Sequence, residues 1–147
     1  MLYTGQTHAE LNAPSRNYDE MWVIMRFPTK KTKIEGAWHP ELAPSADLFS
    51  LFQQLKTEGK WNSGAFETIY TPAFLRELAA RPDAQRSLGY LFDKMQTGDI
   101  ILLCSCYQES MCHRQIVRKL LEGAYAVATD KPDPYGCFTQ YQALTGK

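Results

Sequence analysis

The chain has 147 residues, 44% hydrophobic and 22% charged, a balance that suits one globular domain and argues against disorder. Sixteen basic and sixteen acidic residues cancel, so no global field draws the protein to nucleic acid or to an anionic membrane. The longest apolar run is far shorter than a membrane span, and the polar opening from Met1 to Gln6 is unlike a signal peptide. These features predict a cytoplasmic protein with no membrane partner. In that reducing compartment the four cysteines read as thiols, metal ligands or a catalytic pair, not as a disulfide framework.

Leu2-Tyr3-Thr4 reads as a short strand ending at Gly5, and Thr7 to Arg16, with Asn12 and Pro14, as loop. Met21 to Met25 is a continuous apolar run stopped by Pro28, which fits a strand buried on both faces. A loop carrying Lys30, Lys31 and Lys33 continues to Pro40 and Pro44. Ser45 then caps a helix whose Leu48, Leu51, Phe52 and Leu55 form an apolar stripe, and Gly59 ends it. A second helix spans about Thr71 to Ala80, with Pro72 in its first turn and Phe74, Leu75 and Leu78 on one face. A third follows Pro82-Asp83 and carries Leu88, Leu91, Phe92 and Met95 before Gly98. Ile100 to Cys106 forms the next strand. Ser110 is placed to cap the last long helix, which buries Ile116, Val117, Leu120 and Leu121 and closes at Gly123. From Asp130 the tail reads as loop with a short final helix. The order of elements predicts a small single-domain α/β protein, its mostly parallel sheet flanked by helices.

The chemistry concentrates in one place. Cys104, Cys106, Cys112 and His113 fall within ten consecutive residues, where a buried strand hands over to a helix. Ligands bind at such carboxyl ends of strands in α/β proteins. Strand alternation points Cys104 and Cys106 to one face and Ser105 to the other. Cys112 and His113 fall at the helix start, where unpaired N–H groups lower a thiol's pKa and attract anions. Arg114 adds a charge with bidentate geometry for phosphate or carboxylate. If the two strands are parallel, Arg26 emerges on the same edge as Cys106.

Three chemistries fit. In the first, Cys112 or Cys106 is a nucleophile, His113 its acid/base partner, and Arg26 and Arg114 bind an anion. In the second, Cys104, Cys106, Cys112 and His113 bind zinc, without the usual two-residue separation inside a cysteine pair. In the third, Cys106 and Cys112 form a thiol/disulfide pair. Packing competes with all three. Cys104, deep in the apolar run, reads as core, whereas Cys112 reads as reactive. Cys137 stands apart in the tail. The C-x5-R spacing of a cysteine phosphatase is absent, because five residues past Cys106 the chain reaches Cys112. No phosphate-cradling glycine loop, dinucleotide fingerprint or paired-carboxylate signature occurs. Lys30, Lys31 and Lys33, with Trp38 and His39, offer a place for a nucleic-acid backbone, although such runs are more often merely solvated.

Leu102-Leu103-Cys104-Ser105-Cys106 followed by Cys112-His113-Arg114 resembles the signature of the domain-of-unknown-function family numbered 488, widespread in bacteria and phages. Val23 to Pro28 resembles that family's strand ending in Arg-x-Pro. Trp38, Leu42-Ala43-Pro44-Ser45 and Leu48 resemble a segment of one of its branches, and Tyr3-Thr4-Gly5 its opening turn. The chain departs at Cys106, where many members carry Glu, and at Met25, which replaces an acidic residue. The resemblance implies a compact α/β domain over about residues 2 to 125. It also implies a shared site at Arg26, Cys112, His113 and Arg114, but no activity.

The reading that follows is one domain over residues 1–147 that binds or acts on a small phosphorylated or nucleotide-like anion. Arg26, Arg114 and Cys106 would bind it, and Cys112 and His113 would carry the chemistry without a cofactor. The alternative is a non-enzymatic module for nucleic acid or protein, with the Cys/His cluster structural and zinc-loaded.

Overall fold

The computed structural model describes residues 1–27, 37–106 and 108–146. Pro28 and the three clustered lysines lie outside the described residues. Three parallel strands, β1 (Leu2–Gln6), β2 (Glu20–Val23) and β3 (Ile100–Cys104), form a sheet in the order β1-β3-β2. The predicted parallel α/β class is therefore what the chain adopts. The central position of β3 explains its sequence: with strands on both edges and cover on both faces, all five of its residues are buried. Ile100 and Leu102 face the large helical core, while Ile101 and Leu103 face a smaller cluster with Val23, Tyr3, Leu11 and Met25. Cys104 continues the parity of Ile100 and Leu102 and so faces the helical side.

β2 is shorter than its apolar run. Beyond Val23 the chain still bonds to β3 through Ile24 N–H and the Leu103 carbonyl at 3.0 Å, and Val23 also bridges to Trp38 on the outer side. The segment read as loop after β1 begins instead with helix α1 (Thr7–Asn12), whose first turn is capped by the Gln6 side chain accepting from Ala9 N–H. Glutamine is not among the usual capping residues, which is why the pattern gave no helix start.

α2 (Ala46–Thr57) starts as expected, with Ser45 Oγ accepting from Leu48 N–H at 3.1 Å. Gly59 follows its end at φ +69°. The next helix is longer than the sequence implied. Asn62 caps α3 (Ser63–Ala65), a π turn covers Phe66–Tyr70, and α4 (Thr71–Ala80) continues from it without a break. Pro72 has no N–H to give and its ring crowds the carbonyl four residues back. The wide turn before it, closed by Thr71 N–H on the Phe66 carbonyl, accommodates both effects. α5 (Pro82–Lys94) then returns to β3.

α6 (His113–Ala128) packs its buried face on the sheet, and α7 (Cys137–Thr145) completes the fold against α4 and α6. Two details differ from the expected boundaries. Cys112, not Ser110, holds the cap position of α6, because Glu109–Met111 form a separate 3-10 turn. Gly123 does not end α6; a Cβ there would meet Asp133 Oδ1 at 2.4 Å, so the glycine admits the chain that leads into α7. Among the described residues no helix is long and apolar enough to cross a membrane.

Candidate functional site

The carboxyl ends of β2 and β3 and the start of α6 meet at a cavity of about 660 Å³. Met25, Arg26 and Phe27 line it from beyond β2, and Cys104, Ser105 and Cys106 from the end of β3. Cys112 and His113 close its floor. The rest of the lining is largely aromatic: Phe49 and Phe52 of α2, Trp61, and Tyr70 from the π turn. Lys56, on α2, is a second cation of the lining, its Nζ over the Phe52 ring at 5.8 Å from the centroid.

The parallel sheet brings Arg26 and Cys106 to one edge, as anticipated. Arg26 is half-buried, its Nε donates to the Pro44 carbonyl, and no described carboxylate pairs with it. Arg114 behaves differently. It is 1% exposed, and its Nη1 donates to the carbonyls of Gly5 at 2.9 Å and Cys104 at 2.8 Å, its Nη2 to that of Cys106 at 2.9 Å. Its Nε makes no hydrogen bond and lies 3.9 Å from Glu109 Oε1. The guanidinium is thus a strut that fastens the ends of β1 and β3 to α6. Those three carbonyls occupy the donors expected to face an anion, and Arg26 is the arginine that lines the cavity.

His113 Nε2 contacts the Ile24 carbonyl, which only accepts, so Nε2 carries the proton. In the tautomer with its proton on Nε2 the ring has its lone pair at Nδ1, and Nδ1 faces Cys112 Sγ at 3.6 Å. Phe74 packs edge-on against the same ring at 5.6 Å.

The thiols are free, so Cys106 and Cys112 form no disulfide. Cys112 hydrogen-bonds to both Cys104 and Cys106, which pulls those two thiols below the ordinary 9.0 and pushes Cys112 well above it. This reverses the order expected from the helix start: the Cys112 side chain caps no N–H of α6. Cys106 is the half-exposed thiol of the three, while Cys104 and Cys112 are buried. Burial, reinforced by the thiols, raises Tyr70 and keeps its hydroxyl neutral.

The model of a protein family described as the active DUF488-N3 subclade, DUF488-N3a, matches residues 8–124. The chain belongs to the DUF488 family. The matched span of this DUF488 protein holds Arg26, the whole thiol cluster, His113 and Arg114. No curated protein and no solved structure matches it. Sequence patterning missed the aromatic wall and Lys56. Phe49 lies off the apolar stripe of α2 and is exposed, a signal that this helix has a second face to offer.

Proposed function

We propose that this DUF488 protein binds and acts on a small phosphorylated, nucleotide-like anion in the cavity. The observation that carries the reading is the mixed lining of one cavity: the aromatic Phe52, Trp61 and Tyr70 together with Arg26, Lys56 and Cys106. Aromatic faces suit a planar base, and two cations in the lining suit a phosphate. Cys106, half-exposed and favoured as a thiolate, is the nucleophile that reaches the ligand. Cys112 and His113 stand directly behind it, and Arg114 fixes the backbone that carries them.

Enzymatic action is favoured over a purely structural cluster by two features. The matched family model is described as active, and one thiol of the cluster opens to the cavity instead of being sealed in the core. A non-enzymatic module with a structural Cys/His cluster is the second reading, and the lysine-rich loop offered for a nucleic-acid backbone lies outside the described residues.

The test is a binding screen by thermal shift and calorimetry against nucleoside mono- and diphosphates, with inorganic phosphate alone for comparison. Saturable binding that Arg26→Ala and Lys56→Ala each weaken tenfold or more is expected, the size of one charge-assisted hydrogen bond of about 1.5–3 kcal/mol. Folded protein that binds none of these compounds would sink the reading.

A further inference from the structure

We infer that Cys104, Cys112 and His113 form a zinc site whose fourth coordination position opens to the cavity. The inference goes beyond the proposed ligand and stands without it.

Distance is the first argument. The Cys104, Cys112 and His113 ligand atoms all lie within 4.8 Å of one another, and Cys112 Sγ is 3.6 Å from His113 Nδ1. Around tetrahedral zinc, with Zn–S about 2.3 Å and Zn–N about 2.0–2.1 Å, a sulfur and a nitrogen stand about 3.6 Å apart and two sulfurs about 3.8 Å. The pair at the helix start already has that separation, and small rotamer adjustments bring in Cys104.

Orientation is the second. A zinc-bound histidine nearly always donates its other N–H to a carboxylate, a carbonyl or water, which fixes the tautomer. His113 does this through Nε2 and the Ile24 carbonyl, leaving Nδ1 toward Cys112 Sγ. The donors also sit on rigid elements. Cys104 ends β3, Cys112 caps α6 and His113 opens it, and Arg114 ties the Cys104 carbonyl to that helix.

Charge and softness select the ion. The three residues are 8%, 4% and 6% exposed, so a buried ion must be neutralised locally. Two thiolates cancel a divalent charge, and two sulfurs with one imidazole suit zinc better than calcium or magnesium, which demand oxygen. Cys106 lies outside this group of three, on the half-exposed side, with its Sγ 3.7 Å from the Gln108 carbonyl. Three protein ligands with one open position is the arrangement of catalytic zinc sites, in which the ion activates water. Loading the site releases the Cys112 proton and leaves Cys106 as the free thiol of the cavity.

The experiment uses the full chain without a polyhistidine tag, expressed with added zinc and purified without chelator. Elemental analysis is expected to find about one zinc per chain. Cys104→Ser, Cys112→Ser and His113→Ala should each lose it, while Cys106→Ser and Cys137→Ser retain it. To keep the test independent of how the first three variants fold, the wild-type protein is also stripped and refilled with cobalt(II). Strong visible ligand-field bands with a thiolate-to-metal absorption are expected, the signature of tetrahedral sulfur ligation. A metal-free chain, a preference for copper, or a cobalt spectrum without thiolate absorption overturns the inference. Equal metal loss in Cys106→Ser overturns the open position. Because metal is counted without nucleotide, failure here is distinguishable from failure of the binding screen.

Discussion

His113 turns one ring nitrogen to the carbonyl of Ile24 and the other to the sulfur of Cys112, so a single side chain joins the end of β2 to the thiol cluster. Replacing it with phenylalanine keeps an aromatic edge against Phe74 but removes the donor from a buried carbonyl. His113→Phe is expected to cost about 1–3 kcal/mol, the penalty of a buried acceptor without its partner. Urea denaturation measures it. An unchanged midpoint would mean that the Ile24 contact contributes nothing to the fold.

Arg114 carries a larger share. Arg114→Met leaves the carbonyls of Gly5, Cys104 and Cys106 without their donor, and the expected loss is at least about 3 kcal/mol. Arg114→Lys should recover little of it, because an ammonium cannot reproduce the planar fork that spans three separate acceptors. Equal stability of Arg114→Lys and the wild type, measured by the same denaturation, would contradict the strut.

Accessibility separates the thiols. Cys104, Cys112 and Cys137 are buried and Cys106 is half-exposed. Brief treatment of native protein with iodoacetamide should attach one label per chain, at Cys106, and peptide mass spectrometry locates it. Cys106→Ser should abolish this fast labelling, and simultaneous labelling of Cys112 would show that the floor of the cavity is open.

Glu41 supplies a pH dependence far from the thiols. Burial raises its pKa, but hydrogen bonds from His39 at 3.2 Å and Ser87 at 2.6 Å outweigh that and hold it below 4.5. A carboxyl lowered on folding contributes stability that is complete above its unfolded value and lost as pH falls through the folded one. Thermal melting should therefore weaken below about pH 4.5. Glu41→Gln should melt lower at neutral pH and show a shallower decline in acid.

Much of this arrangement is legible in the sequence because it follows from local rules. Strand parity puts Cys104 on the helical side, the apolar run of β3 marks a central strand, and Ser45 announces α2. What escaped depends on distant partners. Gly123 has the composition of a helix end, yet it answers to Asp133 in the following loop. Arginine is almost never fully buried, so nothing local predicts that Arg114 turns inward to carbonyls from three segments. The cavity's aromatic wall escaped for the same reason: Tyr70 belongs to a helix whose start is marked only by Asn62, and Trp61 stands just before that cap.

The π turn from Phe66 to Tyr70 fits one more residue into the helix than a regular spiral would take. Deleting one residue there would leave Thr71–Ala80 seated in the core and turn the helical segment just upstream, Ser63–Ala65, by about 100°, the arc of one residue at 3.6 per turn. Trp61 would then be carried away from the thiols. The width of the ligand chamber is in this sense written as a phase offset in a single helix, adjustable by the length of the chain at that point.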